Sequence, residues 1–359
     1  MKTFDHRTDP LQETRTPFLS VVIPTMGREI LIRTLESLAA AEGFVAIEII
    51  VAGRVPDATV AAQLRDLRAR HANIRHLDIQ FATGDSSRKK NEGAAMARAP
   101  LIAFLDDDVI VAADWPRRLA EPFQDPQVGL LSGPSLVPED INWVGRLAGL
   151  ALSSPAAAYV AERYRPNRDA PYAVDWDRII GCNAAYRREA FEQMGGFPVD
   201  FYPGEEMIAA FRAEQAGWKL MFVPAAWVKH YPRQSLRRFW RQVWGYGATR
   251  IRLLRAGVSF NPLSLVPAAW VTGTAVLVAL SFVWRWAGWL LALELGLYGL
   301  FALWVTGGTV RQTRRWADLG LLVVIPLMHL AYGLAEWAEF LRPGKDFSET
   351  VPPAKNHSK

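Results

Sequence analysis

The chain has 359 residues, with 41 Lys and Arg against 36 Asp and Glu, which leaves a formal net charge of +5. Half of it is hydrophobic and 21% is charged, which excludes a disordered chain, while the single Cys182 excludes an internal disulfide and a cysteine-rich zinc site. Six scattered histidines form no HExxH or similar pair, so a bound metal is expected to be a hard ion on oxygen ligands.

Residues 1–17 are polar and lack the apolar stretch of a secretory signal, so this tail is expected to stay in the cytoplasm. Residues 18–24 (FLSVVIP) form a continuous apolar, β-branched run, as in a strand buried on both faces of a parallel sheet. A helix is predicted over 28–41, with Leu31, Leu35 and Leu38 on one face and a stop at Gly43. The pattern then repeats: strand 46–51, helix 58–71, extended 74–79, helix 87–98, and strand 101–105 (LIAFL). Such alternation predicts an α/β fold with a mixed, mostly parallel sheet, helices on both faces and ligands beyond the carboxyl ends of the strands.

Asp106, Asp107 and Asp108 follow LIAFL directly. Three carboxylates beside an apolar strand repel one another, and a hard divalent cation would offset that repulsion. If the segment is extended, Asp106 and Asp108 share one face and Asp107 takes the other; the competing reading is a solvated acidic turn. A second carboxylate pair, Glu205 and Glu206, follows Pro203 and Gly204 and opens a predicted helix at 207–216. The helix dipole alone favours acidic residues there by about 0.3–1 kcal/mol.

Five segments, VVIPTMGRE, RKKNEGAAMARAPLIAFLDDDV, GCNAAYRREAFEQMGGF, PGEEMIAAFRAEQAGW and WVKHYP, occur in an order and spacing that resembles a family 2 glycosyltransferase with a GT-A fold, over about residues 18–231. The resemblance implies a cytoplasmic catalytic domain at 18–232 that binds a nucleotide-sugar donor with Mn²⁺ or Mg²⁺. It places Asp108, Asp106 and His230 at the metal, and Pro24, Thr25, Arg28, Lys90, Asp106, Asp107, Gly181 and Asn183 around the donor. It also implies a carboxylate base, Glu206 or its neighbour Glu205, because this chain reads Glu-Glu where the family usually reads Glu-Asp. Arg88 and Lys89 are further candidates for phosphate contact, Cys182 for packing, and Gly195 and Gly196 for a helix stop. One departure is Ala52, Gly53, Arg54, Val55, where the family commonly carries an acidic turn that reads base and ribose; Asp57 or Asp85 are the candidate substitutes.

Between Lys229 and Arg255 the chain carries eight basic residues and no acidic one, with Leu236, Phe239, Trp240, Val243 and Trp244 at helical spacing. This predicts a basic amphipathic segment, 233–258, lying on membrane lipids with its arginines among headgroups or on the diphosphate of a lipid-linked acceptor. A nucleic-acid partner is not expected. The region 259–341 then offers spans at 264–284, 286–306 and 319–340, with only Glu294 charged between 286 and 310. The loop of Arg311, Arg314 and Arg315 should face the cytoplasm. Three spans put the polar tail 342–359 outside, although Arg342, Lys345, Lys355 and Lys359 pull the other way.

The expectation is thus a multi-pass protein of a bacterial-type cytoplasmic membrane. It would be an inverting, metal-assisted glycosyltransferase acting on a lipid-linked or growing-polysaccharide acceptor, with residues 141–168 either shaping the acceptor site or merely packing. The alternatives are a processive polysaccharide synthase, whose usual QxxRW is not matched by Gln242, Val243, Trp244, Gly245, and a catalytically silent membrane scaffold.

Overall fold

A computed structural model describes residues 16–258, 261–343 and 347. Most of the tails expected at 1–17 and 342–359 lies outside the described residues. The chain begins β1 (Leu19–Pro24), α1 (Ile30–Ala39), β2 (Ile47–Ala52), α2 (Ala58–Arg70), β3 (Ile74–Leu77), α3 (Asp85–Met96) and β4 (Leu101–Leu105). These four strands pair in parallel in the order β3-β2-β1-β4, and the strands of FLSVVIP and LIAFL lie where their apolar runs predict. Leu19, Val21, Val22, Ile23, Ile102 and Phe104 are buried on one face or the other, each apolar side chain of this size contributing about 1.5–3 kcal/mol on burial.

The chain continues through β5 (Val109–Val111), α4 (Trp115–Ala120), β6 (Val128–Ser132), β7 (Ser135–Leu136), α5 (Trp143–Ser153), a 3₁₀ segment at Pro155–Arg163, β8 (Tyr172–Ala173), β9 (Asn183–Arg187), α6 (Arg188–Gln193), α7 (Glu205–Gln215), β10 (Lys219–Phe222) and β11 (Val228–His230). The large sheet completes as β4-β9-β6-β10-β8, and β5, β11 and β7 form a small second sheet. β9 lies antiparallel to β4 with Asn183 opposite Leu105, which brings Gly181 and Cys182 beside the acidic turn. β11 runs antiparallel to β5 with His230 opposite Val109, which delivers the histidine to the same place. Helix α7 starts at Glu205, two residues before the predicted start, because Gly204 adopts φ 105° and caps it.

After the α/β domain come α8 (Leu236–Arg255), α9 (Val266–Ser281), α10 (Arg285–Thr313) and α11 (Leu321–Phe340). Among the described residues three segments are long and apolar enough to cross a membrane: Pro262–Ser281, Arg285–Thr313 and Trp316–Phe340. Helices α9 and α10 pack on each other, with Thr274 donating to Glu294 (2.9 Å), and expose Val276, Leu280, Leu293, Leu297 and Trp304. Trp284, Trp286 and Trp289 cluster at their turn, as aromatic side chains do at a membrane–water boundary.

Helices α8 and α11 behave differently. Asn142 Nδ2 donates to the Gln234 carbonyl at the start of α8, and Thr249 Oγ1 and Arg252 Nη1 donate to the carbonyls of Pro203 and Tyr202 near its end. Asp318, just before α11, takes two 2.9 Å bonds from Arg146, and Trp143 Nε1 donates to the Ala317 carbonyl. At the far end of α11, Glu339 accepts from Arg252 Nη2 (3.1 Å) and Arg255 Nη2 donates to the Phe340 carbonyl (3.0 Å). Phe347 then packs its ring 5.2 Å from that of Phe201. Both ends of α8 and both ends of α11 are therefore held by the α/β domain and its bordering helix.

The arginines of α8 divide accordingly. Arg237, Arg238 and Arg241 are exposed, whereas Arg250, Arg252 and Arg255 turn to protein partners, so the expectation that the whole basic run rests among headgroups fails for its second half. The reason is the apolar stripe of Phe239, Val243, Ala248 and Ile251, whose burial rotates the later arginines toward the protein.

Candidate functional site

The Asp106–Asp108 segment is a turn rather than a strand, yet its side chains separate as the alternation argument predicts. Asp107 points away: it accepts from Thr25 Oγ1 (2.6 Å) and pairs with Arg28. Asp106 and Asp108 face His230, whose Nε2 lies 3.0 Å from Asp108 Oδ1 and 3.9 Å from Asp106 Oδ2. One donor atom from each of these three residues falls within 4.8 Å of the others, a set of two carboxylates and an imidazole that suits a divalent cation. Arg28 reaches Asp108 as well (3.0 Å).

Charge is finely divided within the cluster. Enclosure and the adjacent Asp108 hold Asp106 above the usual carboxylate range. Burial alone would raise Asp108 too, but His230 and Arg28 outweigh it and hold that carboxyl low. His230 is raised well above its ordinary value: burial opposes its charge, and Cys182 and Asp108 more than offset that.

The second carboxylate pair is split by function of position. Glu205 is buried and accepts from Lys90 Nζ (2.9 Å) and Ser86 Oγ (3.2 Å). Lys90 is itself buried, and although burial disfavours its charge, Glu205, Asp106 and Glu206 hold the ammonium firmly protonated. Glu206 makes no side-chain hydrogen bond to another described residue and lines a cavity. Burial and the neighbouring Glu205 push its carboxyl up to about 7. Gly181 makes room for it, since a Cβ there would sit 3.1 Å from Glu206 Cδ.

Several residues expected around the donor also hold contacts within the fold. Asn183 is fully buried, accepting from Trp115 Nε1 (2.9 Å) and donating to the Ala226 carbonyl (2.8 Å), so its amide ties β9 to neighbouring segments of the fold. Lys90 is bound to Glu205, and Thr25 and Arg28 to the acidic turn. Lys89 is buried between Asp85 (2.6 Å) and the Thr25 carbonyl (2.9 Å), and Arg88 stacks over Phe81. Pro24 closes β1. Of the substitutes for the missing acidic turn, Asp57 caps α2 through the amides of Thr59 and Val60, and Asp85 binds Lys89 and the Phe81 amide.

Sequence reasoning missed the Lys90–Glu205 pair, which joins residues 115 positions apart. It also missed Arg163 and Arg250, which line the cavity that Glu206 faces. Their only signal is position: Arg163 lies in the mostly apolar stretch 141–168 and Arg250 in the basic run.

The chain is similar to known glycosyltransferases. Residues 16–247 match the family described as "Glycosyltransferase like family 2". The chain is 26% identical over 211 residues to the O-antigen chain rhamnosyltransferase RfbN of Salmonella typhimurium, covering 52% of this chain and 65% of the relative. It is 29% identical over 181 residues to the pre-mycofactocin glycosyltransferase of Mycobacterium tuberculosis, covering 48% and 35%. It is 24% identical over 171 residues to the succinoglycan biosynthesis protein ExoA of Rhizobium meliloti, covering 45% and 48%. The chain thus spans from about a third to just under two thirds of the length of these relatives. Among solved structures, the mannosyltransferase PcManGT from Pyrobaculum calidifontis, in complex with GDP-Man and Mn²⁺, shares the fold with a TM-score of 0.58 at 19% identity, over 92% of this chain and 90% of that one.

Proposed function

Because the chain belongs to glycosyltransferase family 2, we propose that it transfers a sugar from a nucleotide-diphosphate donor, with inversion, to a lipid-linked or growing-polysaccharide acceptor at the cytoplasmic face of a membrane. The observation that carries this reading is the division of labour between the two glutamates: Glu205 is spent on Lys90, while Glu206 is left free at a cavity with a carboxyl that titrates near neutrality. A base matched to the working pH is what proton removal from a sugar hydroxyl requires. The acceptor oxygen bonds to the anomeric carbon as the bond from that carbon to the diphosphate oxygen breaks. The proton goes to Glu206 and the electron pair leaves with the diphosphate.

Asp106, Asp108 and His230 would hold the cation. When bound, a divalent cation supplies positive charge for the departing diphosphate. Asp107 positions Arg28 and Thr25 around the acidic turn, Lys90 holds Glu205 in place, and the neighbouring Glu205 helps to hold the Glu206 carboxyl up.

Helices α9 and α10 cross the membrane as a hairpin in this reading. Helix α11, tied to the catalytic domain at both ends, lies at the interface in place of the third crossing expected from composition. The chain then returns to the catalytic side, as the basic residues Arg342 and Lys345 favour. A single hairpin favours addition of one or a few sugars over polymer conduction.

The test is donor turnover by the purified full chain in detergent, over a range of nucleotide sugars with Mn²⁺ or Mg²⁺ and with chelator, adding membrane lipid extract as acceptor. One donor should give metal-dependent nucleotide release, and the product should carry the inverted anomeric configuration. A retained configuration would sink the single-displacement mechanism. Failure to bind any donor would leave the scaffold reading.

A further inference from the structure

Glu206 opens on a cavity of about 400 Å³ whose walls come from two sources. One is the catalytic domain with its bordering helix, which contributes Tyr159, Arg163, Glu206 and Arg250. The other is the set of apolar helices, which contributes Trp270 from α9, Tyr298 and Phe301 from α10, and Met328 from α11. The first wall sets these polar and cationic groups among apolar residues such as Leu152, Val160 and Ile180, and the second is mainly aromatic and aliphatic.

The cations are anomalous. Arg163 and Arg250 are each only 8% exposed, yet neither has a carboxylate within 4.0 Å among the described residues. Arg163 gives one Nη to the Asp177 carbonyl and leaves its Nε without a partner. Asp177 itself pairs with Arg178 rather than with Arg163. Arg250 donates Nε to the Tyr332 hydroxyl (3.2 Å) and lies 5.7 Å from the centre of the Tyr159 ring, whose own hydroxyl is buried and unpartnered. The Trp270 indole N–H, in the helical wall of the same cavity, is also buried without an acceptor. Two orphan donors, the Tyr159 hydroxyl and the Trp270 indole N–H, together with two guanidinium groups that lack a carboxylate partner, line one cavity and call for an anion with several acceptor oxygens.

We propose that Arg163 and Arg250 form a phosphate subsite for a lipid-linked acceptor, with the lipid chain lying against α9, α10 and α11 and the acceptor hydroxyl presented to Glu206. The proposal rests on the reading of Glu206 as the base and narrows the acceptor to a phosphate-bearing lipid. Two guanidinium groups match the charge and planar oxygen pairs of a phosphate, and Tyr159 and Trp270 supply the remaining donors. The aromatic wall accounts for the lipid, because a wholly hydrophilic acceptor would leave it facing water. Burial, and then Arg250, lower the affinity of Arg163 for its proton, a strain that a bound anion relieves.

The experiment is equilibrium binding to the full chain in detergent, without donor, using geranylgeranyl phosphate as probe and geranylgeraniol and inorganic phosphate as comparisons. The phosphate lipid should bind saturably. The alcohol, and the Arg163→Gln and Arg250→Gln variants with the phosphate lipid, should each bind about tenfold or more weakly. Arg68→Gln, altered at an exposed position of α2, should bind as the parent does. Equal binding of alcohol and phosphate, or unaltered binding by both arginine variants, overturns the proposal. Inorganic phosphate binding as tightly as the lipid overturns it too, in favour of a free-anion site. Metal-dependent nucleotide-sugar binding, measured separately on each variant, reports folding and the donor half. Its loss in the parent sinks the enzymatic reading, whereas its retention beside failed lipid binding sinks only this inference. If an arginine variant does not fold, Tyr159→Phe removes one orphan donor, and a several-fold weaker phosphate lipid is then the expected result and no change the refuting one.

Discussion

Replacing Glu206 by Gln tests the base assignment through both rate and stability. With its carboxyl pushed up to about 7, Glu206 is about one tenth ionised at pH 6 and about nine tenths at pH 8, so kcat/KM of the parent should rise about ninefold across that interval. Glu206→Gln should abolish transfer while leaving donor affinity intact. The stability effect has a definite sign. The folded chain holds this proton more tightly than the unfolded chain, where the ordinary value is 4.5, so ionisation costs nothing below that value and its full cost is present above pH 7. The difference corresponds to at most about 3 kcal/mol. Glu206→Gln should therefore raise Tm by about a few degrees at pH 8 and not at pH 4. The assays are initial rates of nucleotide release across pH and thermal unfolding in the same detergent. A flat rate profile between pH 6 and 8, or full activity in the variant, would refute the reasoning.

Asp108→Ala should abolish Mn²⁺-dependent donor binding, and His230→Ala should weaken metal affinity about 10–100-fold, both read by titration with and without chelator. Gly181→Ala introduces a methyl 3.1 Å from Glu206 Cδ and should lower kcat by about 10–100-fold with donor KM kept, because the base is displaced and the donor is not. Asn183→Ala should cost about 2–4 kcal/mol in denaturation, through loss of two buried hydrogen bonds, with donor affinity unchanged; weaker donor binding at unchanged stability would restore Asn183 to the donor site. Cysteines placed at the exposed Val283 and Leu341 should react with a membrane-impermeant maleimide from opposite sides of sealed vesicles, Cys182 being buried; labelling from the same side would refute the two-crossing topology.

The parallel half of the sheet was legible because a strand covered on both faces reads as an unbroken apolar run, as in LIAFL. β9 was not, since Asn183, Ala184 and Ala185 are small or polar residues that only tertiary pairing makes extended. The acidic turn was legible for a reason that survived a wrong premise: Asp107 parts from its neighbours because Thr25 and Arg28 capture it, not because the segment is a strand. The surroundings of α11 were hidden, because an apolar helix against lipid and one against protein have the same composition. Only partners such as Arg146 and Arg252, distant in sequence, place its ends. The roles of Glu205 and Glu206 were equally hidden, being set by Lys90 and Gly181 from elsewhere in the chain.

From the acidic turn to the membrane the site alternates in sign. Arg28 meets Asp108, Asp108 meets His230, and His230 meets Asp106. Asp106 and Glu206 both stabilise the charge of Lys90, which is bonded to Glu205, and Arg163 in turn favours the ionised form of Glu206. Each of these steps is an attraction, so the groups hold one another in place. The next step is not: Arg163 and Arg250 oppose each other. A line of alternating charge that ends in two like charges is completed by an anion, and the helices that wall that end are apolar. The phosphate of a membrane lipid satisfies both conditions at once, and it sets the acceptor hydroxyl beside Glu206, the carboxylate that takes its proton in the displacement.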